Sequence, residues 1–497
     1  MWDELTKLLR HAAVYGVGRI LSKGISLFLL PFYTYYLTPV DYGVMEILSL
    51  VIMLGSMLAG FGISSGLMRH YYATEDERER SELVGTAVVF SLFAAALMAA
   101  PGFVFASSVS RALLGSADYA FLIKLAAMQF FFSLSADIGW VYLRARKRST
   151  LYVTLTQVFL GISLGLTVYL VAVKKMGLTG VFWGNAIAAA VLWLVLMTIT
   201  IGDTGLHFAR KDLKEMLRFG SPMVLTWIAA YVLNYSDRFF LQRFSDLTTV
   251  GLYSLAYKFG FMVSMLGVQP FLLIWEAQAY EIAKREDAKD VFARIFTYWS
   301  AILIFAGFVL SLFIREIFAI LVSSKFGSSY LMVAPIAMAY VIQGMGVYFE
   351  AGLLIQKKSR LLASIGVICT IFCLGIEMVL IYYWKSWGAC ISTVFSFMVF
   401  GVVTYRFSQR VYPIYCDFKG VSKAALISLA LLAVGWALPL QAIGWRLLAK
   451  LTLTVLFGVL LLLFKVFPAK DIANLREMMA TWTRTQIVPK LRWAGLI

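Results

Sequence analysis

Long apolar stretches separated by short polar connections run along the chain from residue 11 to residue 465. A helix needs about 20 predominantly apolar residues to cross a bilayer, and runs of that length recur too often here for a single soluble core. The pattern predicts about fourteen membrane-spanning helices, over 11–37, 41–67, 83–106, 118–143, 150–173, 178–202, 219–242, 249–276, 292–322, 329–355, 360–383, 388–405, 423–440 and 447–465. The longest connections, such as 203–218 and 277–291, leave no room for an extramembrane domain. The expected fold class is therefore all-α, a polytopic membrane protein.

An internal repeat organises these spans. Shifting the chain by 208 residues lays LLRHAAVYG (8–16) over MLRFGSPMV (216–224). The same shift lays YYLTPVDYGVMEILSL (35–50) over RFSDLTTVGLYSLAYK (243–258), matching Gly43 to Gly251 and Ile47 to Leu255. An offset of six helices keeps both halves in one orientation, so the expected symmetry is a pseudo-two-fold axis along the membrane normal. The organisation read from this is a six-helix bundle over 1–202, a linker over 203–218 and a second six-helix bundle over 219–411. A helix pair over 412–465 and a basic amphipathic tail over 466–497 complete it.

Charge adds orientation. Of 497 residues 61% are hydrophobic and 14% charged, and the net charge is +17. A nucleic-acid binder gathers such an excess on one soluble face. Here it collects in alternate connections, RARKRS (144–149), HFARKDLKEMLR (207–218), AKRED (283–287) and QKKSR (356–360), while TPVD (38–41) and SSKFGSS (323–329) are poor in Lys and Arg. This bias puts both termini in the cytoplasm. The opening MWDELTKLLRHAAVYG lacks the form of a cleavable signal, so the first helix is expected to be retained. The tail reads as an interfacial helix on the inner leaflet. Four cysteines and three histidines (His11, His70, His207) show no metal or catalytic spacing, and neither cofactor nor metal is expected. GFGISSG (60–66) ends a membrane span with no strand before it, so Gly62 and Gly66 read as close helix packing rather than a phosphate loop.

The informative chemistry lies inside the spans. In YGVGRILSKGISLFLLPF (15–32), Arg19 and Lys23 share one helical face of an apolar helix. Each cation costs about 2.5 kcal/mol or more at such a depth unless it meets water or an anion. Lys23 lies about 18 Å from the inner edge, and Lys258, in the eighth span, about 14 Å from the outer one. Arg238 sits near the outer end of the seventh span, where snorkelling competes with a cavity-lining role. Arg19, Lys23, Lys258 and Arg238 are the candidate anion-binding residues. Glu46, Asp137, Asp237, Glu276, Glu350 and Glu377 are the carboxylates within spans. They read either as gates pairing with Lys or Arg, as sites for a coupling cation or proton, or as local neutralisers of a neighbour. Asn234, Asn185, Gln157 and Gln343 suit interhelical hydrogen bonds or sugar hydroxyls.

The repeat, the cationic first helix and the run LLRHAAVYGVGRILSKGISLFLLPFYTYYLTPVDYGVMEIL resemble the polysaccharide-exporter branch of the multidrug/oligosaccharidyl-lipid/polysaccharide flippases. The resemblance implies a bacterial inner-membrane flippase, not an enzyme, that carries a polyprenyl-diphosphate-linked oligosaccharide to the outer leaflet by alternating access. Its implied partners are membrane lipids, a coupling cation or proton, and glycan polymerases. Relatives that flip the peptidoglycan precursor carry cavity arginines on the first, second and eighth helices. Here the second offers Glu46 instead, which favours a different glycan. A cation-coupled exporter of drugs or organic cations from the same superfamily is the alternative, and its cavity would be rich in carboxylates rather than Lys and Arg.

Overall fold

The computed structural model describes residues 29–438 and 443–467. Among these residues there is no strand, and twelve helical runs are long and apolar enough to span a membrane. The expected first span lies outside the described residues up to residue 28, and residues 29–36 are helical. In chain order the helices are α1 (Pro39–Gly60), α2 (Ile63–Ala73), α3 (Glu77–Val104), α4 (Ala106–Leu114), α5 (Ala120–Ala145), α6 (Ser149–Val168) and α7 (Gly177–Thr204). They continue as α8 (Arg210–Phe244), α9 (Leu247–Gly260), α10 (Gln269–Ile282), α11 (Ala288–Leu321), α12 (Tyr330–Ile355), α13 (Ser359–Val411), α14 (Phe418–Ala437) and α15 (Ile443–Leu463). The tail beyond residue 467, read as an interfacial helix, lies outside the described residues.

Local chemistry explains where helices begin. In TPVD, the Thr38 hydroxyl accepts from the Asp41 amide (3.2 Å) and the Asp41 carboxylate accepts from the Thr38 amide (2.9 Å). That reciprocal cap, with Pro39 at the first helical position, starts α1. Two boundaries differ from the apolar pattern. The expected span 41–67 breaks at Phe61 and Gly62, whose φ values are +43° and +70°. Glycine accepts a left-handed conformation without penalty, and α2 restarts from it. The expected spans 360–383 and 388–405 form one helical run, α13, interrupted at Lys385 (φ 49°, ψ −126°). The chain bends so sharply there that a side chain on Gly388 would strike the Leu380 carbonyl. Lys385 Nζ donates to the Phe244 carbonyl at 2.5 Å, placing a cation on the C-terminal end of α8.

The chain divides into two compact units. Among the described residues, the first comprises 29–255 with 318–329 and 366–392. Its core joins α2, α3, α5, α7 and α8 through Leu67, Val84, Val141, Tyr142, Met197 and Met216. Because lipid is as apolar as these side chains, close packing holds the helices together. Gly62 and Gly66 put α2 directly on the α8 backbone at Gly220 and Met216, where no Cβ would fit. A second crossing is reciprocal: a Cβ on Gly43 would strike the Leu247 carbonyl, and one on Gly251 would strike that of Pro39. Pro39 and Gly43 are the repeat counterparts of Leu247 and Gly251 at the 208-residue offset. Such a self-complementary contact is what a two-fold axis through the crossing produces.

Among the described residues, the second unit comprises 256–317, 330–365, 393–438 and 443–467. Its centre is aromatic. Phe271 stacks between Trp275 and Trp299 (5.1 and 3.9 Å between ring centroids), and Trp275 also stacks on Tyr348 at 4.4 Å. The polar tips of these rings reach backbone carbonyls, Trp299 to Gly344 (3.1 Å) and Tyr348 to Phe292 (2.7 Å). Those two bonds satisfy the buried donors of Trp299 and Tyr348, whereas the buried Trp275 indole nitrogen has no hydrogen-bond partner among the described residues.

Candidate functional site

The most developed polar site inside a span is built on α8, α9 and the first half of α13. Arg238 and Asp237 are 1% and 2% exposed. Arg238 Nη1 donates to Asp237 Oδ1 at 2.6 Å and to the Asn234 carbonyl at 2.8 Å. The guanidinium lies over the rings of Tyr235 and Tyr253, 5.3 and 5.4 Å from their centroids. The Tyr253 hydroxyl donates to Asp237 Oδ2 at 2.5 Å. Glu377, 8% exposed, accepts a 2.5 Å hydrogen bond from the Ser236 hydroxyl and lies within electrostatic range of Asp237.

Among the described residues of this cluster, Asp237, Arg238 and Glu377, all ionised, sum to one negative charge. In an apolar surround that balance favours taking up a proton or a monovalent cation. Of the candidate residues, the structure thus brings Asp237, Arg238 and Glu377 together. Tyr253, Tyr235 and Ser236 complete the site, and the sequence reading did not include them. Tyr253 lies sixteen residues beyond Asp237, and no helical spacing links the two.

The other carboxylates are dispersed. Glu276 and Glu350 line a cavity of about 250 Å³ with Leu272, Trp275, Ala279 and Tyr280. Glu276 is exposed and Glu350 half-buried. Asp137 accepts a hydrogen bond from the Ser64 hydroxyl on α2. Glu46 is half-buried on α1, within electrostatic range of Tyr231 and Tyr235. Asn185 accepts from the Ser163 hydroxyl across α6 and α7 at 2.6 Å, an interhelical hydrogen bond.

Among the cations, Lys258 on α9 is exposed while its neighbours Tyr257 and Phe259 are buried. Arg19 and Lys23 lie outside the described residues. Arg238 faces Asp237 rather than open space, so in this conformation its charge is already matched. At the basic ends of the helices, Glu77 holds Arg80 and Arg146, each at 2.9 Å, and Arg148 holds Asp203 at 2.9 Å. The hydrogen bond to Tyr142 raises the Arg146 guanidinium above its ordinary pKa. One buried ion pair escaped the sequence reading: Glu316 on α11 accepts from Lys450 on α15 at 2.7 Å. Its signal was Lys450, inside the apolar run 447–465, and the single Glu of the run 292–322.

A family model described as polysaccharide biosynthesis protein matches residues 8–275, more than half of the chain. The succinoglycan biosynthesis transport protein ExoT of Rhizobium meliloti (strain 1021) is 23% identical over 248 residues. The match covers 48% of this chain and 48% of that protein, so the chain spans about half the length of the curated relative it matches. A solved structure of the lipid II flippase MurJ, in an inward closed conformation, is similar with a TM-score of 0.74 at 13% identity. That likeness covers 94% of this chain and 100% of the other. An inward-facing multidrug resistance MATE family transporter of the MOP superfamily is similar with a TM-score of 0.58 at 18% identity, over 78% of this chain and 94% of the other. At such identities the likeness to both solved structures is one of fold. The chain belongs to the polysaccharide biosynthesis protein family.

Proposed function

We propose that the protein flips a polyprenyl-diphosphate-linked oligosaccharide from the cytoplasmic to the outer leaflet of a bacterial inner membrane by alternating access. The observation that carries this reading is the family match over residues 8–275, which contains all three midspan cations, Arg19, Lys23 and Lys258. The names of two relatives agree with it, one a succinoglycan transport protein and the other a flippase of lipid II. A diphosphate diester carries about two negative charges, and cations in a low-dielectric cleft bind it strongly. In this reading Arg19, Lys23 and Lys258 hold the diphosphate. Arg238 serves instead as the counter-charge within the Asp237–Glu377 cluster, where a coupling proton or cation binds. Both termini lie in the cytoplasm, following the Lys and Arg bias, and the flipped unit is handed to a glycan polymerase on the outer side.

The test is charge reversal. Lys23→Glu and Lys258→Glu, expressed at wild-type level, are expected to abolish the accessibility of lipid-linked sugar on the outer face of reconstituted vesicles, and Lys258→Arg to preserve it. Full activity in both reversals overturns the anion-binding role. The exporter of organic cations is the second reading, favoured by the carboxylate-lined cavity at Glu276 and Glu350. In that case Glu276→Gln with Glu350→Gln would abolish efflux of a cationic dye while the lysine reversals left it intact.

A further inference from the structure

The pair Glu316–Lys450 belongs to a larger arrangement at one end of α11, α12, α14 and α15. Glu316 is 3% exposed and Lys450 5%. Lys450 Nζ donates to Glu316 Oε2 and to the Leu312 carbonyl, both at 2.7 Å, so its charge is matched. Arg446, one turn before Lys450, is not held in the same way. Its Nε lies 3.8 Å from Glu316 Oε1, beyond hydrogen-bond reach, and both atoms are buried without a hydrogen-bond partner. Arg315 adds a third cation, exposed at the same cavity. Among the described residues, three cations stand against one carboxylate here, a net charge of +2.

These side chains line a cavity of about 100 Å³ together with Tyr330 and Trp436. One turn away along the same helices, the chemistry changes. A cavity of about 570 Å³ runs between α11, α12 and α14, lined by Gly307, Phe308, Met338, Ala425 and Leu429. The Trp436 indole stands at the junction, donating to the carbonyl of Ser311, which itself lines the apolar cavity. A cationic pocket capping an apolar groove fits an amphiphile with an anionic head.

We propose that this end of the second unit holds an anionic phospholipid, its phosphate among Arg315, Arg446 and Lys450 and its acyl chains in the groove between α11, α12 and α14. The head pocket sets the occupant. Its lining sets three cations against one carboxylate, which suits an anionic phosphate. The site shares no residue with Arg19, Lys23 and Lys258, the ones proposed for the transported glycan. Lys and Arg counting assigns this end of the helices to the outer face, so the lipid comes from the outer leaflet.

Native mass spectrometry of the full chain in detergent, titrated with dioleoylphosphatidylglycerol, tests the proposal. The wild type is expected to retain the lipid, and dioleoylphosphatidylcholine to bind at least about tenfold more weakly. Arg315→Ala with Arg446→Ala is expected to lower phosphatidylglycerol affinity by about tenfold or more, since each basic side chain contributes separately. Ala425→Trp fills the groove without touching the charges and is expected to lower affinity as well, while Arg446→Lys retains most of it. Equal binding of the two lipids, or wild-type binding by both the arginine variant and Ala425→Trp, overturns the proposal. Displacement of phosphatidylglycerol by millimolar inorganic phosphate would reassign the pocket to a free anion. Tighter retention of undecaprenyl phosphate than of phosphatidylglycerol would reassign it to the polyprenyl carrier.

Discussion

Asp237 and Arg238 are neighbours in sequence, and consecutive helical residues point about 100° apart. Their 2.6 Å contact therefore requires both side chains to turn toward each other, and the rings of Tyr235 and Tyr253 hold the guanidinium in that position. Removing one partner of a buried ion pair costs about 3–5 kcal/mol, because the other charge is left unmatched. Arg238→Ala is expected to lower the thermal unfolding midpoint sharply in detergent, and the double replacement Asp237→Asn with Arg238→Gln to recover much of the loss. Glu377→Gln retains an acceptor for the Ser236 hydroxyl, so folding should persist. If the cluster carries the coupling ion, transport by that variant no longer responds to an imposed pH gradient. Either residue of the pair could be singled out from a charge in an apolar run. That Glu377, 141 residues away from Ser236, would join them could not, because only tertiary packing decides which faces of α8 and α13 meet.

Helices were legible where the apolar runs were long and their ends carried turn chemistry, as at Thr38–Asp41 with its reciprocal cap. They were less legible where backbone geometry overrode the pattern. Nothing apolar or polar about Phe61–Gly62 marks a break, since GFG continues a hydrophobic stretch; the left-handed turn arises where Gly62 meets Gly220. The reversal at Lys385 likewise joins two spans so closely that they read as one helical run. Glycines at crossings give the sharpest test at this scale. Gly43→Val or Gly251→Val forces a Cβ against a carbonyl of the facing helix and is expected to abolish the folded protein, read as loss of the monodisperse peak in detergent size-exclusion chromatography. Gly161→Val and Gly165→Val, on α6, meet no neighbouring atom within 4 Å and are expected to leave that peak unchanged.

For the whole molecule, the sequence carried the class of fold, set by the cost of placing polar groups in lipid. It did not carry the units into which the helices gather, such as the grouping of 366–392 with residues before 256, because long-range packing leaves no local periodicity. The transport reading makes an energetic prediction at this scale. Carrying two negative charges to the positive side of the membrane releases about 4–5 kcal/mol per 100 mV. In proteoliposomes with a potassium diffusion potential set by valinomycin, export is expected to accelerate when the outside is positive and slow when the sign is reversed. The glycine crossing also bears on how such a protein tolerates change. Gly43 and Gly251 already present no side chain to one another, so bulk acquired at either position has no smaller residue opposite to make way for it. Suppressors of such a mutation must shift a backbone elsewhere or restore the glycine itself.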